Sequence, residues 1–415
     1  MTEKLKLKEC CEVITDGDHL PPPKATHGIP FITISNINAN NEISFDDTMF
    51  VPIEYYDSLS GTKKAKSEDV LLSVVGSFGK PVYIEKDEKF TFQRHIALLR
   101  HNDKVNGRFL YYTLLNPQFY KTLDKLAIGC SQRTVTLDTL RNIEIDVPPL
   151  DIQSKIVDCL SAIDEKIKNN NTINNNLYNQ INVLFDYWFT QFNFPADDNK
   201  PYSLSSQQMV YNPIIKRKIP YGWSVENIAH NHLCSFIKPS VDPFTVKEYL
   251  ATANVYGTSI STGEMIEYET RESRANMQPR ISTVWFAKMK NSVKHLFFNE
   301  QLAELVENTI LSTGFCGLQC SNISFEYIAS FINHPLFEVK KDSLAHGATQ
   351  EAVNNDDLES IYLVIPTDKV LNSYHNVTAP LFAQVSNNIQ ENRKLQQLRD
   401  FLLPMLMNGQ ATIVD

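Results

Sequence analysis

Apolar residues along this chain follow two rhythms, and each rhythm occurs twice. Short apolar runs at 31–34, 70–75 and 96–99 are bounded by Gly, Pro, Asn and Asp, which predicts strands closed by turns, with a helical stretch near 109–115. After Pro148-Pro149 the period changes. Ile156, Leu160, Ile163, Ile167, Asn170, Asn174, Leu177, Ile181, Leu184 and Trp188 alternate by four and three, a heptad seam that predicts one long helix ending near Phe194-Pro195. After Pro366 a second seam runs Tyr374, Thr378, Leu381, Val385, Asn388, Asn392, Leu395, Arg399, Leu402 and Leu406. Pro380 falls inside it, so this helix is expected to start or kink there, with Thr378 as a cap.

The two halves are copies of one unit. A shift of 218 positions lays 109–148 over 327–366 without a gap and with 12 identities, among them Pro117/Pro335, Phe119/Phe337, Asp124/Asp342, Gly129/Gly347, Gln132/Gln350 and Leu140/Leu358. The same shift sets Asn36 on Asn254 and superposes the seam asparagines. In the middle of each half the register slips to 214, where Val70 meets Val284, so the copies agree at their ends and differ between.

This pattern predicts an α+β protein: two similar mixed α/β domains separated by two long antiparallel helices forming a coiled-coil spacer. The expected boundaries are 1–150 for the first domain, 151–194 for the first helix and 195–218 for a polar connector. The second domain then spans 219–368, and 369–415 holds the second helix and tail. Leu160, Ile163, Ile167, Asn170, Asn174 and Leu177 are expected to pair with Leu381, Val385, Asn388, Asn392 and Leu395. Buried Asn facing Asn fixes helix register; the alternative for 169–176 is a solvated Asn-rich run.

Composition narrows the function. The 415 residues are 42% hydrophobic, enough for two or three buried cores, and no segment has the length or apolarity of a membrane span or signal peptide, so a cytoplasmic protein with no membrane partner is expected. The seven cysteines lack zinc spacing and read as reduced thiols; Cys316 and Cys320 are the one pair with any metal-like spacing, and no metal is expected. A net charge of -9 excludes DNA binding by bulk charge alone. There is no phosphate loop, no glycine-rich cofactor fingerprint and no Asn-Pro-Pro-Phe methyltransferase motif. Asp16, Asp18 and His19 are the nearest approach to a catalytic cluster, and no catalytic residue is expected.

Four stretches carry a family resemblance. They are Lys200-Pro-Tyr with Met209-Val-Tyr-Asn and Ile219-Pro-Tyr-Gly-Trp-Ser-Val; Gly129-Cys-Ser-Gln-Arg leading to Val147-Pro-Pro-Leu; Ser312-Thr-Gly-Phe-Cys; and Leu398-Arg-Asp-Phe-Leu-Leu-Pro. In this order the chain resembles the specificity subunit of Type I restriction-modification systems over essentially its whole length. The resemblance implies a non-catalytic reader of a bipartite, asymmetric site in double-stranded DNA, with the two domains as target-recognition domains. It also implies partners: two adenine methyltransferase subunits and, in the complete enzyme, two ATP-driven translocating endonuclease subunits. S-adenosylmethionine, ATP and Mg would belong to those partners, with no cofactor in this chain. A scaffold for a methyltransferase without a restriction partner, or a stand-alone DNA-acting enzyme, are the other readings.

Base edges are read by Arg, Asn, Gln, Ser and Thr, and phosphates by Lys and Arg. The candidate DNA contacts are Lys24, Thr33, Ser35, Asn36, Lys80, Arg94, Gln132 and Arg133 in the first copy, and Asn254, Tyr256, Arg271, Arg274, Arg280, Thr349 and Gln350 in the second. Gln132 and Gln350, shared by both, fit a common structural or phosphate contact. Lys63-Lys-Ala-Lys66 and Lys216-Arg-Lys218 are further phosphate candidates. Phe185, Tyr187, Phe189, Phe401 and Met405 flank the seams, to be covered either by a methyltransferase subunit or by the chain's own domains.

Overall fold

A computed structural model describes residues 2–19, 21–38, 41–45, 48–130, 132–197, 200–205 and 208–413. Ser131 of the Gly129 stretch and part of the 195–218 connector lie outside the described residues. The chain divides into two compact units, Met1–Glu165 with Leu395–Asp415, and Lys166–Lys394.

In the first unit, a four-stranded antiparallel sheet has the order Cys11–Asp16, Ile96–His101, Val70–Ser73, Pro81–Tyr83. Its inner strands are continuously apolar because both faces are covered: Val70, Leu71 and Leu72 are buried, as are Ile96 to Leu99. A second sheet sets Ile29–Ile32 antiparallel to Met49–Val51 and parallel to Thr91–Phe92. Ile34, expected at the end of a strand, instead opens the 3-10 turn Ile34–Asn36. The strand Glu144–Val147, which pairs with Glu3–Lys6, keeps strict in-out alternation, as a one-sided strand should.

The second unit repeats this order. Its sheet runs Cys234–Phe236, Phe315–Cys320, Thr283–Ala287, His295–Phe298, and a parallel pair, Lys247–Leu250 with Thr309–Ser312, corresponds to the parallel pair of the first unit. Both copies have a helix-proline-helix corner. Asn116 Oδ1 accepts from Gln118 N at 2.9 Å ahead of Pro117–Leu126, and His334 Nδ1 accepts from Leu336 N at 3.3 Å ahead of Pro335–Leu344. Proline at the first helical position loses no bond there.

The first long helix is Leu150–Phe185, followed by a wider turn at Asp186–Thr190; Phe192, at φ 57°, stops it short of Phe194-Pro195. The second is Asp368–Met407 and passes through Pro380 unbroken, correcting the expectation of a start there. Thr378 is no cap: it is buried, and its hydroxyl donates to Tyr374 O at 2.8 Å within the helix. Buried Leu371, Tyr374, Phe382 and Val385 anchor the helix on both sides of the proline and outweigh its cost of about 3 kcal/mol.

Within each unit the helix segments run antiparallel. In the first, Ile156 and Leu160 are buried in one core with Leu403, Leu406 and Met407, Ile163 is buried as well, and Asp164 meets Arg399. In the second, contact runs from Asn170 with Asn392 to Asn174 with Asn388. Leu177, Leu381 and Val385 share the apolar core there, while Ile167 and Leu395 are half-buried.

Candidate nucleic-acid interface

The same end of each main sheet carries the polar loops. In the first unit, strands 70–73 and 11–16 end there and strands 81–83 and 96–101 begin there. Loop 74–80 bonds to the segment before Ile96 through Val74 N to His95 O at 2.9 Å. It bonds to hairpin 128–134 through Gly76 N to Arg133 O at 2.9 Å and Val135 N to Val74 O at 2.9 Å. The turn after strand 29–32 joins the group through Gln93 N to Ile32 O at 3.0 Å. This end therefore gathers Thr33, Ser35, Lys80, Arg94, Gln132 and Arg133.

The second unit builds the same end. Loop 288–294 bonds to hairpin 346–352 through Lys290 N to Glu351 O at 3.0 Å and Val353 N to Lys288 O at 3.0 Å. Lys294 Nζ donates to Thr252 O at 2.7 Å, tying in the turn Thr252–Asn254, and burial pushes its ammonium below the ordinary lysine value. Lys288 N to Gly314 O at 3.0 Å and Thr313 N to Arg274 O at 2.8 Å bring in Arg274; the Gly257 and Lys294 bridge brings in Tyr256. Thr349 and Gln350 are exposed in the hairpin.

Several candidates are occupied by the fold. Asn36 Oδ1 accepts from Thr33 N at 2.9 Å and its amide donates to Ser44 O at 3.3 Å; Asn254 Oδ1 accepts from Ala251 N at 2.9 Å and its amide donates to Thr262 O at 3.0 Å. The shared asparagine thus clamps the same turn twice. Arg133 is held by the carboxylate and backbone carbonyl of Asp124 and lies over Phe78. Arg271 donates to Tyr268 O at 2.6 Å and stacks on that ring. Arg280 stands beyond the start of strand 283–287, at the opposite end from the loops. Lys24 is exposed beside strand 49–51, and among the described residues no bond links it to the loop end. Among the described residues, Arg94 and Arg274 are exposed cations of these ends without an intrachain polar partner for the side chain.

The other sequence candidates also have structural duties. Asp18 accepts from Tyr55 Oη at 2.5 Å and from Lys63 Nζ at 3.5 Å, and Asp16 pairs with His19 at 2.9 Å. Lys64 lies over Tyr56, and Arg217 over Phe192, whereas Lys66, Lys216 and Lys218 are exposed. Cys316 and Cys320 lie buried in one strand; burial pushes the Cys316 thiol up to about 12. Among the described residues no group of three side chains is placed to hold a metal ion, and no helix is long and apolar enough to cross a membrane. Phe185 and Phe189 bury against Tyr327 in their own unit, leaving them no outward face for a partner, while Tyr187 and Phe401 are exposed.

Sequence reasoning missed Lys288, Lys290 and Lys294. The shift of 214 that aligns Val70 with Val284 also lays Lys80 on Lys294, and the structure bears this pairing out: Ser73 N bonds Lys80 O at 3.1 Å, and Ala287 N bonds Lys294 O at 3.0 Å.

The fold is a mixed α/β module built twice, with a polar loop end in each copy. Residues 2–179 match the family described as the Type I restriction modification DNA specificity domain. The MjaIX specificity subunit of Methanocaldococcus jannaschii is 24% identical over 332 residues, 75% of this chain and 70% of that one. The HindI specificity subunit of Haemophilus influenzae is 19% identical over 417 residues, 84% and 87% of the two chains. The solved S subunit from M. genitalium aligns with a TM-score of 0.49 and 14% identity, over 98% of this chain and 96% of that chain. Residues 2–179 thus carry the Type I restriction modification DNA specificity domain, and over most of its length the chain is similar to specificity subunits of Type I restriction-modification systems.

Proposed function

We propose that the chain reads a bipartite, asymmetric double-stranded DNA site, one half through the loop end of each unit, and docks two adenine methyltransferase subunits. In the complete enzyme two ATP-driven translocating endonuclease subunits join them. The observation that carries this reading is one loop framework built twice with different side chains. Gly76, Ser77, Phe78 and Gly79 of loop 74–80 correspond to Lys290, Asn291, Ser292 and Val293 of loop 288–294, so the two ends present different chemistry on similar frames.

The helices supply the spacing. A 36-residue helix is roughly 54 Å long at ~1.5 Å per residue, and changing helix length by whole turns should change the unread spacing and not the bases read. Exposed Val183 and Phe401 occupy equivalent places on the two helices at the shift of 218, which supports one docking surface used twice. S-adenosylmethionine, ATP and Mg act in the partner subunits. Replacing residues 1–149 with those of a relative and mapping methylated adenines across the host genome tests this. One half of the recognised site changes; a change in both halves, or in neither, overturns the reading.

A further inference from the structure

Beneath loop 288–294 lies a charge cluster that the first copy lacks. Lys341 is fully buried, and its Nζ donates to Glu338 Oε2 at 2.5 Å, Ser292 O at 3.2 Å and Ala287 O at 3.3 Å. Glu338 Oε1 bonds His295 Nε2 at 2.8 Å, in the strand that follows the loop. Next along the helix, Asp342 Oδ1 accepts from Asn291 N at 3.2 Å, where Asn291 turns the loop at φ 56°. One lysine thus bonds carbonyls at both shoulders of the loop while a carboxylate holds its left-handed tip.

At the equivalent places the first copy has Leu123 and Tyr120. There the loop is held by stacking: Phe78 and Tyr120 rings lie 5.8 Å apart, and Gly79 sits so close that a Cβ would fall 2.6 Å from the Tyr120 ring. Its Asp124 holds Arg133 of the hairpin, whereas position 351 in the second copy is an acid, Glu351, that holds Lys290 of the loop at 2.7 Å. The frame is the same, but the forces fixing it differ.

A buried ammonium is costly unless its bonds are completed, and nothing about packing volume requires one where leucine serves in the sister copy. We propose that Lys341, with Glu338, is a positioning residue for recognition of the second half-site, fixing loop 288–294 by a buried ionic pin. The two half-sites are thereby read by loops that can be loosened independently. This rests on the reading that the loop faces DNA.

The test uses the full chain in its native complex, with methylated adenines mapped in host cells carrying each variant. Glu338→Gln with Lys341→Met removes both charges, leaves no orphaned ion and keeps a bond to His295. Met289→Ala with Val293→Ala strips exposed side chains from the loop and leaves the pin alone. Both variants are expected to lower methylation of the cognate site roughly tenfold and to admit sites altered in the second half only, with the first half read as before. Lys341→Met alone does the same more severely, and in the purified complex the Asn291 amide exchanges faster in either pin variant. If the loop variant alters the second half and the neutral pin variant does not, the positioning role is wrong. If neither does, the loop does not face DNA. Loss of selectivity for both halves also overturns the proposal.

Discussion

Asn170 Nδ2 donates to Asn392 Oδ1 at 2.9 Å between two antiparallel helix segments, and one turn further on Asn388 Nδ2 donates to Asn174 Oδ1 at 2.7 Å. All four side chains are buried. Asn170 also donates to Glu391 Oε2 at 2.8 Å, and that bond, with Lys166, holds the Glu391 carboxyl below the ordinary carboxylate value. A slip by one turn would keep only one asparagine pair and carry the other two amides towards apolar seam positions such as Ile167 and Val385 or Leu177 and Leu395, so the ladder sets register rather than adding stability.

Asn170→Ala orphans buried polar atoms and is expected to cost about 1–3 kcal/mol in denaturant unfolding. Replacing all four asparagines by leucine should match or exceed wild-type stability while broadening the spacing between recognised half-sites. Unchanged spacing specificity in the quadruple variant would remove the register role.

Gly129 and Gly347 lie at φ 98° and 144°, and a Cβ at either would fall 2.7 Å or 2.3 Å from the carbonyl oxygen of Gln132 or Gln350. Alanine at either position is expected to open its hairpin at a cost of about 1–3 kcal/mol of local strain and to relax selectivity for one half-site each. Methylation mapping of the two single variants should give complementary patterns.

Phe401 and Val183 are 63% and 68% exposed, so serine at either should leave the melting temperature almost unchanged. Co-purification with a methyltransferase subunit should nevertheless fall, most in the double variant. Full retention would place the docking surface elsewhere.

Glu338 titrates in a crowded setting. Burial pushes its carboxyl up, but hydrogen bonds from His295 and Lys341, aided by their charges, outweigh this and hold it below its ordinary value of 4.5. A carboxylate depressed in the folded state contributes stability above the unfolded pKa, and that contribution is lost as pH falls through the folded one. The stability difference between wild type and Glu338→Gln should therefore shrink as pH drops below the ordinary carboxylate range; a constant difference would contradict it. Glu326 has the opposite sign: burial raises its pKa, so its contribution fades as pH rises past the ordinary value.

Asp164 accepts from Tyr112 Oη at 2.7 Å and from Arg399 Nη1 at 3.1 Å, joining a domain helix to both long-helix segments of the first unit. Asp164→Ala is expected to cost about 2–3 kcal/mol, with the Tyr112 hydroxyl orphaned and half-buried Arg399 left to exposed Asp400 alone. Amide exchange in the Gly107–Leu115 helix should rise first.

The duplication and both long helices were legible because they are periodic: identities such as Gly129/Gly347 recur at one offset, and apolar residues recur at helical spacing, whereas the hairpins those glycines turn came only with the structure. Pro380 misled because a single residue's preference speaks for about 3 kcal/mol, while buried neighbours on either side of it speak for more. Asn36 and Asn254 have the chemistry of adenine readers, yet bonds within their turns take up the amides. Which polar group is occupied depends on what the fold brings beside it.

By itself, then, the sequence determined two copies of a mixed module, each followed by a helix whose asparagines align. Tertiary structure alone decided that Lys341 lies buried under a loop, that Arg133 belongs to Asp124 and that Arg94 stands exposed at a loop end. Periodicity is a local property of a chain. The pairing of buried charges is set by residues distant in sequence, and each charge's cost of leaving water fixes its partner only once the backbone has closed around it.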